Sequence, residues 1–173
     1  MSEQLYKVLA ADGTSCHGGD ATWTAGEWMP AVEGELKPCV NGYHLCRRGD
    51  LINWLGETIW TAEYQGERID VDAPADQSKV VVRQARILRP LTAWNERTAR
   101  LFACDCAERA LPIIAKSMPD EDRPRRAIEA ARRYANGQAT DEEWDAARDA
   151  ARDAAWDAAW AWQTERLWWY LNA

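Results

Sequence analysis

Lys79-Val-Val-Val-Arg-Gln-Ala-Arg-Ile-Leu88 runs directly into Arg89-Pro-Leu-Thr-Ala-Trp94, and the change of character across Pro90 decides the fold. Before the proline, three consecutive valines and Ile87 favour a pleated, extended chain. Val80 and Val82 point one way and Val81, Ala85 and Ile87 the other, with Arg83 among them, so the spacing predicts a strand over Lys79–Leu88. After the proline every signal is helical. Thr92 can cap a helix that begins at Ala93 or Trp94 and carries Leu101, Phe102 and Ala107. The expectation is an α+β protein. A small mixed sheet-containing part (residues 1–90) packs on an all-helical part (residues 91–173) that ends in one long helix.

Upstream, Gln4–Ala10 reads as a strand closed by the turn signal Asp12-Gly13. Tyr43–Cys46 is a brief strand, and Thr58–Gln65 is another, with Ile59 and Trp60 supplying β-propensity. Between them Asp50 can cap a short helix through Trp54 and Leu55 that Gly56 ends. Asp70–Asp76 is expected as an acidic loop.

Downstream, Pro112 is expected to kink or end the first helix, because it lacks the N–H that the helix interior needs. Met118–Asp122 reads as a linker, Pro124 suits the first turn of a second helix, and Asn136-Gly137 stops it. Thr140 and Glu143 form a capping box for the third helix. That helix repeats Asp-Ala-Ala-Arg twice and then Asp-Ala-Ala-Trp twice over residues 145–160. Trp144, Ala147, Ala151, Ala155, Ala158, Trp162 and Trp169 fall within about 80° of arc on an ideal helix. A second stripe changes from Asp145, Asp149 and Asp153 to Trp156, Trp160, Leu167, Trp168 and Leu171. The end of the helix is therefore apolar nearly all round and has to be covered, by the N-terminal part, a second copy, or a partner. Trp156, Trp160, Trp168 and Trp169 are the candidate partner or oligomer interface.

The 173 residues carry a net charge of −7, and Trp occurs eleven times against a single Phe. A surface of that sign repels a phosphate backbone, which excludes duplex nucleic acid as an expected partner. No run of about 18 apolar residues is present, so no membrane span is expected. Met1–Lys7 has no apolar leader core, and an odd count of five cysteines suits reduced thiols, so the expected location is cytoplasmic.

Leu101-Phe-Ala-Cys-Asp-Cys-Ala-Glu-Arg-Ala-Leu111, followed by Arg125–Gly137 and the Asp-Ala-Ala repeats, resembles the helical Imm-5-like immunity proteins of bacterial polymorphic-toxin loci and phage genomes. The likeness covers roughly residues 94–162. Residues 42–46, Gly-Tyr-His-Leu-Cys, followed by Ile59–Glu63, resemble uncharacterised phage and actinobacterial domains. The resemblance implies a setting of toxin neutralisation or phage–host conflict, and no catalytic residue.

Cys39, His44 and Cys46, with Cys16-His17, hold zinc-ligand chemistry but no CxxC spacing, and Cys104 and Cys106 lie about 200° apart on a helix; no metal is expected. No glycine-rich phosphate loop occurs, and no cofactor is expected. Trp54, Trp60 and Trp94, together with Arg83, Arg86, Arg97, Arg100 and His44, could hold a small nucleotide, the rings stacking on the base and the guanidinium forks taking its phosphates. The leading functional expectation is non-enzymatic sequestration of a nucleotide-derived immune signal by a phage or bacterial conflict protein. The alternative is an immunity-type protein that binds a toxin or effector protein. A third reading is a small enzyme that uses His44 as base and Cys46 as nucleophile.

Overall fold

A computed structural model describes residues 3–72, 77–117 and 120–149. The chain divides between Asn95 and Glu96 into two compact units, the first built on a sheet and the second on helices, which makes it α+β.

The first unit holds four strands: β1 (Leu5–Leu9), β2 (Tyr43–Leu45), β3 (Thr58–Val71) and β4 (Lys79–Pro90). Every pairing is antiparallel and the order is β1-β3-β4-β2. The sheet is thus wholly antiparallel. It curls until its ends meet, and Tyr6 and Cys46 exchange two backbone hydrogen bonds of 2.8 Å that join β1 to the residue after β2. Closure leaves an interior for Leu5, Leu9, Trp23, Leu45, Ala62, Val80, Val82, Ala85 and Ile87.

Val80, Val82, Ala85 and Ile87 lie in one cluster, so β4 changes parity between Val82 and Ala85. The change sits opposite a bulge in β3, where Gln65 pairs with Gln84 but Arg68 pairs with Val82. Gly66 takes φ +81° there, the geometry a one-residue bulge needs. Val81 faces the other side, fully buried, beneath Gly42 and Leu36. The expected split of Val80 and Val82 from Ala85 and Ile87 therefore does not form.

Strand β3 is longer than expected. Asp70 and Val71 pair with Val80 and Lys79 instead of opening the acidic loop. Arg47 holds that end, with its guanidinium 2.7 Å from Asp70 and 2.8 Å from Asp72. The short helix expected after Asp50 is a single 3-10 turn, Leu51–Asn53, without a side-chain cap. The buried Asp50 carboxylate instead accepts from the Arg47 N–H at 3.0 Å and from the Ser78 hydroxyl.

The second unit contains α1 (Glu96–Ser117) and α2 (Arg123–Ala135). Pro112 lies inside α1, which continues past it rather than stopping. Cys104 is buried with its thiol 3.9 Å from the Ile128 carbonyl, while Cys106 is exposed, as their angular separation requires. Residues 141–149 are helical. The Thr140 hydroxyl accepts from the Glu143 N–H at 3.2 Å, and Glu143 Oε2 accepts from the Thr140 N–H at 2.9 Å, so the capping box is formed. Trp144 stacks on Tyr134 at 6.1 Å. The Trp-rich end of the repeat, with Trp156, Trp160, Trp168 and Trp169, lies outside the described residues. No helix among the described residues is long and apolar enough to cross a membrane.

Candidate functional site

The first unit holds a cavity of about 480 Å³ lined by β1, β2, the first residue of β4 and the loops around Ser15–Ala21 and Cys39–Gly42. Alternation along β1 places Lys7 between Leu5 and Leu9, on the side that faces the interior. Lys7 Nζ is 3.2 Å from the His44 carbonyl and 5.0 Å from the Trp23 ring. Lys79 opens β4 and is only 6% exposed. Its Nζ lies 3.1 Å from Cys39 Sγ and 4.8 Å from the Trp54 ring. Among the described residues neither lysine forms an ion pair, and the only carboxylate in the lining is the exposed Asp20.

The walls are pinned by hydrogen bonds. Trp23 Nε1 donates to Ser15 Oγ at 3.0 Å, and Trp54 Nε1 donates to the Ser78 carbonyl at 2.8 Å. His17 donates to the Trp54 carbonyl at 2.9 Å and meets that ring edge-on at 5.5 Å. On the far wall, Lys37-Pro38-Cys39-Val40 is a turn closed by Val40 N–H to Lys37 O at 3.1 Å. Proline suits its second position, but the third normally takes Gly or Asn because φ is positive there. Cys39 occupies it with φ +63°. Its N–H donates to His44 Nε2 at 3.0 Å, which fixes His44 as an acceptor through that nitrogen.

Burial, then Lys7 and Lys79, hold the His44 imidazole down to about 4. Burial pushes the Cys46 thiol up to about 12. Burial also lowers Lys7 from the usual ammonium range, with Cys46 and Cys16 opposing. At neutral pH, His44 is therefore an uncharged ring and Cys46 a thiol. His44 Nε2 engages the Cys39 backbone, so the base–thiol pair expected of a Cys46 nucleophile does not form among the described contacts. The chemistry this arrangement offers is attraction for an anion.

Of the residues singled out from the sequence for a ligand, the cavity gathers His44 and Trp54. Trp60 packs against the core and donates to Thr58 Oγ1 at 3.2 Å, and Trp94 donates to the Gly56 carbonyl at 2.8 Å. Arg83 donates to the carbonyls of Val32 and Gly34 at 2.7 and 2.8 Å and pairs with Glu67. Arg86 pairs with Glu63 at 2.7 Å and lies over Trp28. In the helical unit, Arg97 reaches Asn136 at 2.6 Å, and Arg100 pairs with Glu96 at 2.8 Å while lying over Tyr134. Lys7, Lys79 and Trp23 escaped the sequence reading. The alternation Leu5-Lys7-Leu9 carried a signal for Lys7; Lys79 looks like an ordinary charged residue flanking a strand.

Among the described residues no group of three or more His, Cys, Asp or Glu side chains is placed to hold a metal ion. No curated protein and no solved structure matches the chain. A family model does match: residues 89–159, a span that enters at the end of β4 and takes in α1 and α2, are similar to the family described as Imm-5 like putative immunity protein.

Proposed function

We propose that the chain is a non-enzymatic, immunity-type protein that binds a protein toxin or effector and holds it inactive. The family match over residues 89–159 carries this reading. The helical unit offers a preformed surface for such contact. Arg132 ties α2 to α1 through Asp105 and Glu108, each at 2.7 Å, and Arg100 lies against Tyr134 and Trp144, so the helices are joined by side chains as well as by packing. A net charge of −7 steers a basic partner towards the protein and makes the association rate fall with salt. A nucleotide held by Trp60, Trp94, Arg83, Arg86, Arg97 and Arg100 draws less support, because Arg83, Arg86 and Arg100 already hold carboxylates.

The test is co-expression of the full chain with candidate toxins of polymorphic-toxin loci. Restored growth and a complex that co-elutes on gel filtration are expected. Rescue without a complex, or with chemical change to the toxin or its product, would overturn binding as the mechanism.

A further inference from the structure

A buried ammonium without a counter-charge is costly, so proteins that keep one pair it with a carboxylate or hold it for a ligand. The first unit sets two ammonium groups on one cavity, the half-buried Lys7 and the buried Lys79, and gives neither an ion-pair partner among the described residues. Each ammonium has three donors. Lys79 uses one on the Cys39 sulfur, a weak acceptor, and Lys7 uses one on the His44 carbonyl.

We propose that this cavity binds a small phosphate monoester, whose charge takes the place of the carboxylates that Lys7 and Lys79 lack among the described residues. A phosphate monoester carries about −1.5 to −2 at neutral pH, which matches two ammonium groups better than a single carboxylate does. The cavity volume of about 480 Å³ lies within the range of ordinary small-molecule sites, roughly 300–1,000 Å³. Trp23, Trp54 and Tyr43 supply flat apolar walls for the organic part of the ligand. The rim at Gly18 is open, since a Cβ there would meet nothing within 4 Å. Cys39 adds a second kind of evidence. A non-glycine residue at positive φ stores strain and tends to persist at ligand sites, and here it sets a thiol against Lys79. The site lies wholly in the first unit and is independent of whether the helical unit binds a toxin.

The experiment is calorimetric titration of the full chain with inorganic phosphate and with phenyl phosphate, in chloride buffer at fixed ionic strength, with malonate as a dicarboxylate control. Both phosphates should bind more tightly than malonate. Lys7→Met and Lys79→Met should each weaken phosphate by about tenfold or more, roughly the loss expected for one charge-assisted contact. Arg86→Gln should bind as the parent does. No binding of either phosphate, preference for malonate, or undiminished binding by both lysine variants overturns the proposal. Should a lysine variant fail to fold, the parent still decides. Bound phosphate should move the His44 ring resonances and raise the pH at which they titrate, and an unmoved His44 under saturating phosphate overturns the site.

Discussion

Acid acts on the first unit through His44 before it reaches most of the carboxylates. The imidazole takes up its proton near 6.5 when the chain is unfolded and only near 4 when it is folded. Between those values the unfolded state binds more protons, so stability rises with pH. This contribution is fully present above 6.5 and is lost progressively as the pH falls towards 4. Each tenfold change in proton affinity is worth about 1.4 kcal/mol, which sets a ceiling of about 3 kcal/mol. Screening by water around a half-buried ring reduces it to about 2 kcal/mol. The perturbation is His44→Gln, which keeps an acceptor near the Cys39 N–H but cannot titrate. Urea unfolding of parent and variant is followed across this pH window in chloride buffer free of phosphate. The parent should lose about 2 kcal/mol more than the variant on acidification. Parallel losses in the two proteins would refute the assignment of the acid sensitivity to His44.

Lys79→Met removes one of the two charges that depress His44, so the ring should titrate at higher pH, read from its NMR resonances; an unchanged or lower midpoint contradicts the geometry. Gly42→Ala should destabilise the first unit by about 3 kcal/mol, because φ is +130° there and a Cβ would sit 2.5 Å from a Val81 methyl. A loss well below 1 kcal/mol on denaturant unfolding would show that the contact relaxes easily. Thr140→Ala should cost the helical unit about 1 kcal/mol by removing the cap on the Glu143 N–H, seen as earlier loss of helical circular dichroism, and Thr140→Ser should restore it.

Elements with strong local signals were legible in the sequence. The β-branched run at Val80–Val82 gave its strand, Pro124 and Asn136-Gly137 bounded the second helix, and the Thr140–Glu143 pair formed its box. Errors arose where distant partners overrode local preference. Asp70 and Val71 read as loop residues but extend β3, because Arg47 and the ladder to Val80 and Lys79 hold them there. Pro112, expected to kink or end the first helix, does not end it, and α1 runs on to Ser117. The cavity was legible only at His44 and Trp54. Its two lysines come from segments 72 residues apart in sequence number, and no spacing rule links Lys7 to Lys79 until the sheet has curled. The arginines stood out because they are many, but the structure engages Arg83 and Arg86 with Glu67 and Glu63, which local sequence does not reveal.

Joining β1 to the end of β2 through Tyr6 and Cys46 has a consequence for behaviour at high concentration. An open sheet edge offers a row of unpaired amides on which a foreign strand can grow, and that is a route to aggregation. Here the two outer strands occupy each other's edge at Tyr6 and Cys46. Where β4 extends beyond β2, the N–H groups of Gly26, Met29 and Val32 occupy the carbonyls of Ile87, Ala85 and Arg83. The stretch of β3 beyond its pairing with β1 is guarded by Glu63, Glu67, Arg68 and Asp70 and bent by the Gly66 bulge. Strand-to-strand association therefore finds few free amides to grow on, and two copies of this unit in crowded solution should stay apart unless some other surface brings them together.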